Sequence, residues 1–129
     1  MDLRLIHQFI SNSYWAKGIP FSTFKKALKN SLCFGVFSID KKQIGFARMV
    51  TDRATFAYLA DVFILESHRG KGISKLLMQS IFGHPELQGL RRIVLATRDA
   101  HSLYEQFGFK LLANPNAFME IWKEDIYNH

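Results

Sequence analysis

The sequence lacks the features of disulfide-linked, zinc-stabilised, membrane-spanning and secreted proteins. Its single cysteine, Cys33, excludes an intramolecular disulfide and a zinc site built on paired cysteines. No run approaches the about 18 consecutive apolar residues of a membrane-spanning helix, and the N-terminal residues do not form a signal peptide. At 129 residues the chain is long enough to bury a core of its own. We therefore expect one cytoplasmic domain over residues 1–129, without a membrane partner.

Long blocks of one charge are also absent. Seventeen Lys and Arg against eleven Asp and Glu give a net charge of +6, which favours an anionic partner: nucleic acid, an acidic surface or a phosphorylated small molecule. The basic residues are scattered and not interleaved with aromatics, and no nucleic-acid recognition motif is present. The five histidines lack metal-ligand spacing. We expect neither a nucleic-acid partner nor a metal site.

Apolar periodicity predicts ten elements in the order α-α-β-β-β-α-β-α-β-β. The predicted helices cover residues 3–12, a segment after Pro20, residues 73–82 and a short segment from an Asp99 cap to Gly108, and the predicted strands cover residues 32–39, 44–51, 55–65, 92–97, 109–112 and 118–122. A strand-helix-strand unit implies a right-handed parallel crossover. The expected fold is a single α/β domain. Its mixed, largely antiparallel sheet has an internal parallel β-α-β unit and helices on both faces.

The most informative segment is the turn Arg69-Gly70-Lys71-Gly72, between the third predicted strand and the helix that follows it. The glycines would let a ligand approach the backbone, where a helix N-terminus offers unpaired N–H donors and positive potential. Such a turn suits a pyrophosphate. A basic, glycine-containing turn without a ligand is the alternative. The segment is neither a Walker A loop nor a dinucleotide-binding fingerprint.

Two motifs resemble those of GNAT-type N-acetyltransferases. Val62-Phe63-Ile64 followed by Arg69-Gly70-Lys71-Gly72-Ile73-Ser74 is similar to the acetyl-CoA motif of that family, with Ser74 in place of the usual last Gly or Ala. Leu103-Tyr104 with Gly108-Phe109 resembles the second hallmark, Leu-Tyr-x-x-x-Gly-Phe. The element order agrees with the family, so the resemblance covers nearly the whole chain. It implies transfer of acetyl from acetyl-CoA, the co-substrate, directly to a primary amine of a small molecule or peptide.

The resemblance also implies residue roles at the coenzyme. The strand segment Val62-Phe63-Ile64 would pair with the pantetheine arm. One of its backbone amides would polarise the thioester carbonyl. The pyrophosphate would be held at the helix N-terminus by the backbone N–H groups of Gly70, Gly72, Ile73, Ser74 and Lys75. The side chains of Arg69 and Lys71 would contribute to the same site.

Tyr104 and Asp61 are the candidate catalytic residues. Tyr104 matches the family tyrosine beside the coenzyme sulfur, and a phenol can donate a proton to a departing thiolate; its alternative role is packing on the sheet. The family often has a Glu base on the central strand, but Ala60 takes that position here. Asp61, the only acid within this apolar strand, either relays a proton or is a structural acid bonded to the backbone.

Tyr14 and Trp15 are expected either to form a wall of the acceptor pocket or to be a lid on the core. Two rival functions stay open at this point: a non-catalytic acyl-CoA-binding sensor, supported by the missing Glu, and a nucleic-acid-binding module, supported only by charge. The apolar final strands also offer a surface through which two copies could pair as a homodimer.

Overall fold

A computed structural model describes residues 1–128 of the chain. The helices are α1 (Leu3–Ser11), α2 (Phe21–Lys29), α3 (Ile73–Phe82) and α4 (His101–Glu105), and the strands are β1 (Leu32–Phe37), β2 (Gln43–Thr51), β3 (Phe56–Ile64) and β4 (Arg92–Leu95). Short 3-10 turns follow at Glu66–His68, Pro85–Leu87 and Pro115–Ala117. None of the helices within residues 1–128 is both long and apolar enough to cross a bilayer.

The four strands form one sheet in the order β1-β2-β3-β4. β1 with β2 and β2 with β3 are antiparallel, whereas β3 and β4 are parallel and joined through α3. The expected mixed sheet with an internal β-α-β unit is thus confirmed.

Helices cover both faces of the sheet because each has an apolar stripe. In α1, Ile6 and Ile10 lie one turn apart and are fully buried, and Asp2 caps the helix by accepting a hydrogen bond from the Leu5 N–H at 3.1 Å. The core cluster on the α1–α2 face consists of Ile6, Ile10, Phe24, Phe46 and Phe63. The cluster on the α3–α4 face consists of Ala47, Met49, Ala57, Leu59, Ile64, Leu77, Met78, Ile81, Leu87 and Tyr104.

A β-bulge interrupts β3 at Asp61. Phe46 pairs with Phe63 and Arg48 with Ala60, so β3 has one residue more than β2 between these two pairs. Asp61 has φ of +54°, a left-handed conformation that is uncommon for a residue with a Cβ. The bulge shifts the side-chain alternation by one residue, and Leu59 and Phe63 therefore pack on opposite faces of the sheet.

β3 and β4 separate immediately before this bulge. Their parallel pairing runs only from Phe56 with Arg92 to Leu59 with Leu95, where β4 ends. β3 continues to Ile64 and pairs there with β2 alone in the part of the chain that the structure describes. We call residues 56–59 the lower half of β3 and residues 60–64 its upper half. The upper half leaves one strand edge facing a cleft.

The prediction of two final strands is wrong. Within the described chain, residues 109–112 and 118–122 contain no strand. Phe109 packs against Tyr104 and Phe82, whereas the large apolar side chains from Leu111 to Trp122 are exposed. Leu111 is 82% exposed and Met119 96% exposed. Alternating apolar residues favour a strand only where a neighbouring strand can pair with them, and no strand within residues 1–128 pairs with these segments.

The predicted Asp99 cap is also wrong. The cap residue of α4 is Ala100, and no side chain caps the helix there. The Ala100 N–H instead donates to Thr97 Oγ1 at 3.1 Å. Thr97 thus holds the segment that enters α4, whereas a cap at Asp99 would have accepted a hydrogen bond from the N–H of residue 101 or 102.

Candidate active site

The turn before α3 presents open backbone at the start of a helix. Gly70 and Gly72 have φ of +79° and +75°, and a Cβ added at either would meet no atom within 4 Å. Gly72 is the cap residue, and no side chain bonds to the helix end. The first intrahelical bond runs from the Leu76 N–H to the Gly72 carbonyl at 3.2 Å. The N–H groups before Leu76 therefore begin the helix without intrahelical partners, next to empty space.

Arg69 ties this turn to the end of β3. Its Nε donates to the Ile64 carbonyl at 2.9 Å. A depression of about 140 Å³ lies at the turn, lined by Ile64, His68, Arg69, Gly70, Gly72, Ile73, Ser74, Lys75 and Leu103. Lys71, predicted for the same site, is exposed and does not line the depression.

A larger cleft of about 970 Å³ extends from this depression along the upper half of β3. The two share Ile64, Arg69, Ser74 and Leu103. Val62 and Phe63 also line the cleft, and Phe63 stacks on Phe9 of α1 with ring centroids 4.0 Å apart. The cleft therefore connects the open helix end to the strand edge that β4 leaves unpaired.

Tyr104 lies where the cleft meets a second cavity. It is 8% exposed and packs edge-on against Phe109, with ring centroids 5.9 Å apart. Burial raises the pKa of Tyr104 above its ordinary value of 10, and nearby Tyr14 raises it further. The phenol is therefore protonated at neutral pH and available as a proton donor.

The second cavity, the recess, measures about 430 Å³ and borders the lower end of the cleft. Its lining includes Tyr14, Trp15, Tyr58, Asp61, Arg98 and Tyr104. Asp61 is held at two points, because Oδ2 accepts from Arg48 Nε at 2.8 Å and Oδ1 accepts from Trp15 Nε1 at 2.7 Å. Asp61 thereby connects the bulge to the loop between α1 and α2.

Sequence reasoning missed two arginines of this region. Arg48 was recognisable in principle, since it is the only charge within the predicted strand 44–51 and neighbours the strand that contains Asp61. The Arg98 guanidinium lies 3.7 Å from the centre of the Tyr14 ring. Nothing in the local sequence marks that contact, which joins residues far apart in the chain.

The structure brings the predicted residues together around these connected cavities, apart from Lys71. Tyr14, Trp15 and Tyr104 line both the cleft and the recess, and Asp61 lines the recess. Among residues 1–128 no three His, Cys, Asp or Glu side chains form a group that could hold a metal ion.

Comparisons with known proteins agree with this arrangement. Residues 30–111 match the family model of the GNAT acetyltransferase domain. A Gibberella zeae protein, FG08082, provisionally named an acetyltransferase, is 34% identical over 111 residues. That match covers 70% of this chain and 62% of the relative, so this chain spans less than two thirds of the relative's length.

Solved structures extend the agreement to the whole chain. A crystal structure of a GNAT-family protein from Xanthomonas campestris pv. campestris, also provisionally named an acetyltransferase, has 48% identity and a TM-score of 0.96. It covers 100% of this chain and 91% of the other. A GNAT-family protein from Streptococcus pneumoniae TIGR4 shares the fold, with 24% identity, a TM-score of 0.69, and coverage of 91% and 89%. The expected resemblance is confirmed: this chain belongs to the GNAT acetyltransferase family.

Proposed function

We propose that this protein is an N-acetyltransferase that moves the acetyl group of acetyl-CoA directly to a primary amine. The observation that carries the proposal is the continuous cleft, which joins an open helix N-terminus to a buried, protonated tyrosine along an unpaired strand edge. A linear ligand with an anionic middle and a reactive end fits such a path.

The residues predicted to bind the coenzyme are suited to such a ligand. Gly70 and Gly72 leave room at the helix end, where the backbone N–H groups of Ile73, Ser74 and Lys75 would hold a pyrophosphate. Arg69 adds positive charge from a fixed position. The backbone of Val62, Phe63 and Ile64 would pair with the pantetheine amides, and one N–H would polarise the thioester carbonyl.

Tyr104 is the proposed general acid. When bound, acetyl-CoA supplies an acetyl thioester, and attack by a neutral amine forms the amide and releases a thiolate. The Tyr104 hydroxyl would donate its proton to that sulfur, and the proton that the amine nitrogen loses would pass through water to the Tyr104 phenolate and restore the phenol. The raised pKa keeps this phenol protonated before the step.

Direct transfer is favoured over transfer through an acyl-enzyme. Burial raises the pKa of the Cys33 thiol, and this thiol contacts the Leu28 carbonyl at 3.6 Å instead of lining the cleft. A protonated thiol away from the cleft is a poor nucleophile. The amine is therefore proposed to attack the thioester itself.

Asp61 is proposed to act mainly by positioning. Each of its oxygens already accepts a hydrogen bond from a protein donor, which fits an anchor for Trp15 better than a free base. The recess walls include Tyr14 and Trp15, and we propose that these two rings orient the acceptor amine. A proton relay through Asp61 and water is the competing proposal, and a pH profile distinguishes the two.

The direct test mixes the protein with acetyl-CoA and a panel of amines while free thiol is measured. Amine-dependent thiol release, with the acetylated amine found by mass spectrometry, supports the enzyme. Calorimetric binding of coenzyme A without turnover of any amine would instead support the rival sensor function. If the parent protein does not bind coenzyme A, and therefore does not differ from Gly72→Val in this measurement, both the enzyme and the sensor function are excluded.

A further inference from the structure

One arginine of the recess has no anionic partner in the described chain. Arg98 is exposed and lines both the recess and the cleft, as do Tyr14 and Tyr104. No hydrogen bond or ion pair joins its guanidinium to an acceptor within residues 1–128, where the ion pairs involve other arginines. The N–H donors of Arg98 are therefore open to a ligand that enters the recess.

Aromatic contacts hold this guanidinium in place. Its central carbon lies 3.7 Å from the centre of the Tyr14 ring. Tyr14 packs edge-on against Trp15, with ring centroids 5.1 Å apart, and Trp15 donates to Asp61 at 2.7 Å. A guanidinium on an aromatic face keeps the N–H donors at its edge free for a bidentate bond to an oxyanion. Because the cation is already positioned, binding an anion would lose little free energy to ordering the arginine side chain.

The carboxylates of the recess do not neutralise Arg98. Asp61 is paired with Arg48 Nε at 2.8 Å, and its side chain is only 9% exposed. Asp99 also lines the recess, but no ion pair within residues 1–128 connects it with Arg98. The recess thus contains a cation and a carboxylate that do not satisfy each other. A ligand with both an ammonium and an oxyanion complements these two charges better than an amine with an uncharged tail.

The dimensions of the recess favour a small acceptor. Its volume of about 430 Å³ lies in the lower part of the range for small-molecule sites, about 300–1,000 Å³. The proposed transfer needs the amine nitrogen close to Tyr104, and the Tyr14 ring is a neighbour of both Tyr104 and Arg98. An acceptor that reaches both residues therefore has its oxyanion a few bonds from its nitrogen.

We propose that the acceptor is a small zwitterionic amine whose oxyanion, a carboxylate or a phosphate, is bound by the Arg98 guanidinium. This inference rests on the proposed function and names the substrate class of the same site. Arg98 determines specificity by binding the oxyanion and orienting the amine, while Tyr104 keeps the proton transfer. Carboxylate and phosphate oxygens both match the fork of N–H donors, and each has its own arm in the test.

Matched pairs of amines measure the contribution of the oxyanion. β-Alanine differs from propylamine by a carboxylate in place of a methyl group, and O-phosphoethanolamine differs from ethanolamine by its phosphate. In at least one pair the parent should have a kcat/KM about tenfold or more higher for the anionic member, because hydrogen bonds between charged groups are strong. If the neutral members react as efficiently, this inference is wrong and the proposed N-acetyltransferase stands. If no amine is acetylated, both are wrong.

Variants assign the preference to Arg98. Arg98→Met removes the charge and keeps most of the side-chain length, so the kcat/KM ratio within the preferred pair should fall about tenfold, mainly through the KM of the anionic amine. Arg98→Lys should retain part of the preference. The matched control is Arg91→Met, at an exposed arginine that lines neither cavity, and it should keep the parental ratio. A parental ratio in Arg98→Met overturns the inference, and weaker coenzyme A binding with that ratio unchanged would place Arg98 at the coenzyme instead.

Discussion

The two halves of β3 differ in how completely they are paired, and the difference determines where a ligand could bond to the strand. The lower half, residues 56–59, pairs with a strand on each side, and the side chains of its residues Ala57 and Leu59 are buried. The upper half, residues 60–64, keeps β2 and loses β4. Because a sheet satisfies its own backbone, a ligand can bond to strand N–H groups only where a neighbouring strand is missing.

The polar residues divide in the same way. At the entry to the lower half, Asp52 organises the turn by accepting from the Ala54 N–H at 2.9 Å and from the Thr55 N–H at 2.8 Å. At the upper half, Asp61 sits on the bulge and bonds to Arg48 and Trp15. Asp52 therefore stabilises a turn, whereas Asp61 connects the bulge beside the cleft to Arg48 and Trp15. Paired variants in the two halves test this division.

The largest effect is expected from removal of one hydroxyl beside the upper half. Tyr104→Phe keeps the ring and its contact with Phe109, so coenzyme A binding and folding should survive. Loss of the acid should lower kcat by about a hundredfold to ten-thousandfold. Tyr127→Phe, at a tyrosine that lines neither the cleft nor the recess, should keep kcat near the parental value. Equal kcat values in Tyr104→Phe and the parent, with thiol release rate-limiting, would show that Tyr104 only packs.

Glycine substitutions at the two ends of the sheet should give the next largest difference. Gly72 and Gly89 both have φ of +75° and open space at the Cβ position. A valine at either site should therefore destabilise the fold to a similar extent, by about 1–2 kcal/mol. Gly72→Val alone should weaken coenzyme A binding by about tenfold or more, or about 1.4 kcal/mol. Unchanged calorimetric affinity in Gly72→Val would remove the pyrophosphate assignment.

Asp61→Asn should have a moderate effect that separates positioning from proton relay. As a positioning residue, it should change the KM for the amine, because the contact with Trp15 weakens, and leave the acid limb of kcat/KM against pH in place. As a base, it should lose that limb and retain a slow activity shifted to alkaline pH. Asp52→Ala is the control, with kinetics like the parent.

Asp52 should instead determine stability at low pH. Hydrogen bonds from Thr55 and from the backbone of residues 54–56 hold the pKa of this carboxyl well below its ordinary value near 3.8. Its contribution is therefore full above that ordinary value and is lost as the pH falls below it. Asp52→Ala should lower Tm at pH 7. The difference in Tm between this variant and the parent should become smaller at acid pH. A constant difference across this range contradicts the assignment.

The smallest effect is expected at Lys71. An exposed, flexible cation outside the depression should contribute less than about 1 kcal/mol to coenzyme A binding, so Lys71→Ala should lower the affinity about fivefold at most. Lys41→Ala, in the turn between β1 and β2, controls for net charge. A loss at Lys71 as large as that of Gly72→Val would move this lysine into the binding surface.

Local chemistry made much of the fold and site predictable. Helix 73–82 was predicted with both of its observed ends, because an apolar stripe lies between breakers. Gly70 and Gly72 indicate a turn with exposed backbone, since glycine adopts a positive φ readily because it has no Cβ. The proximity of Tyr104 to this turn required the family resemblance, which supplied the tertiary arrangement.

The unpredicted features depend on partners distant in sequence. The contact of Arg98 with Tyr14 and the left-handed Asp61 are set by tertiary packing, which no local pattern encodes. The segments 109–112 and 118–122 have the composition of strands, but a strand also needs a neighbour to pair with, and the described residues provide none for them. Sequence therefore described what these segments prefer and not what they contact.

The bulge at Asp61 has a consequence for how such a gene can vary. β3 contains one residue beyond those needed to match β2, and Ala57 and Leu59 before it and Ile64 after it all pack on the α3–α4 face. An in-frame deletion of the Asp61 codon would therefore leave every later side chain on its present face and restore an uninterrupted ladder. The shortened protein should fold with its core intact and lose the carboxylate that bonds to both Trp15 and Arg48. A single additional codon in β3 would therefore account for the link between the sheet and the loop that carries Trp15.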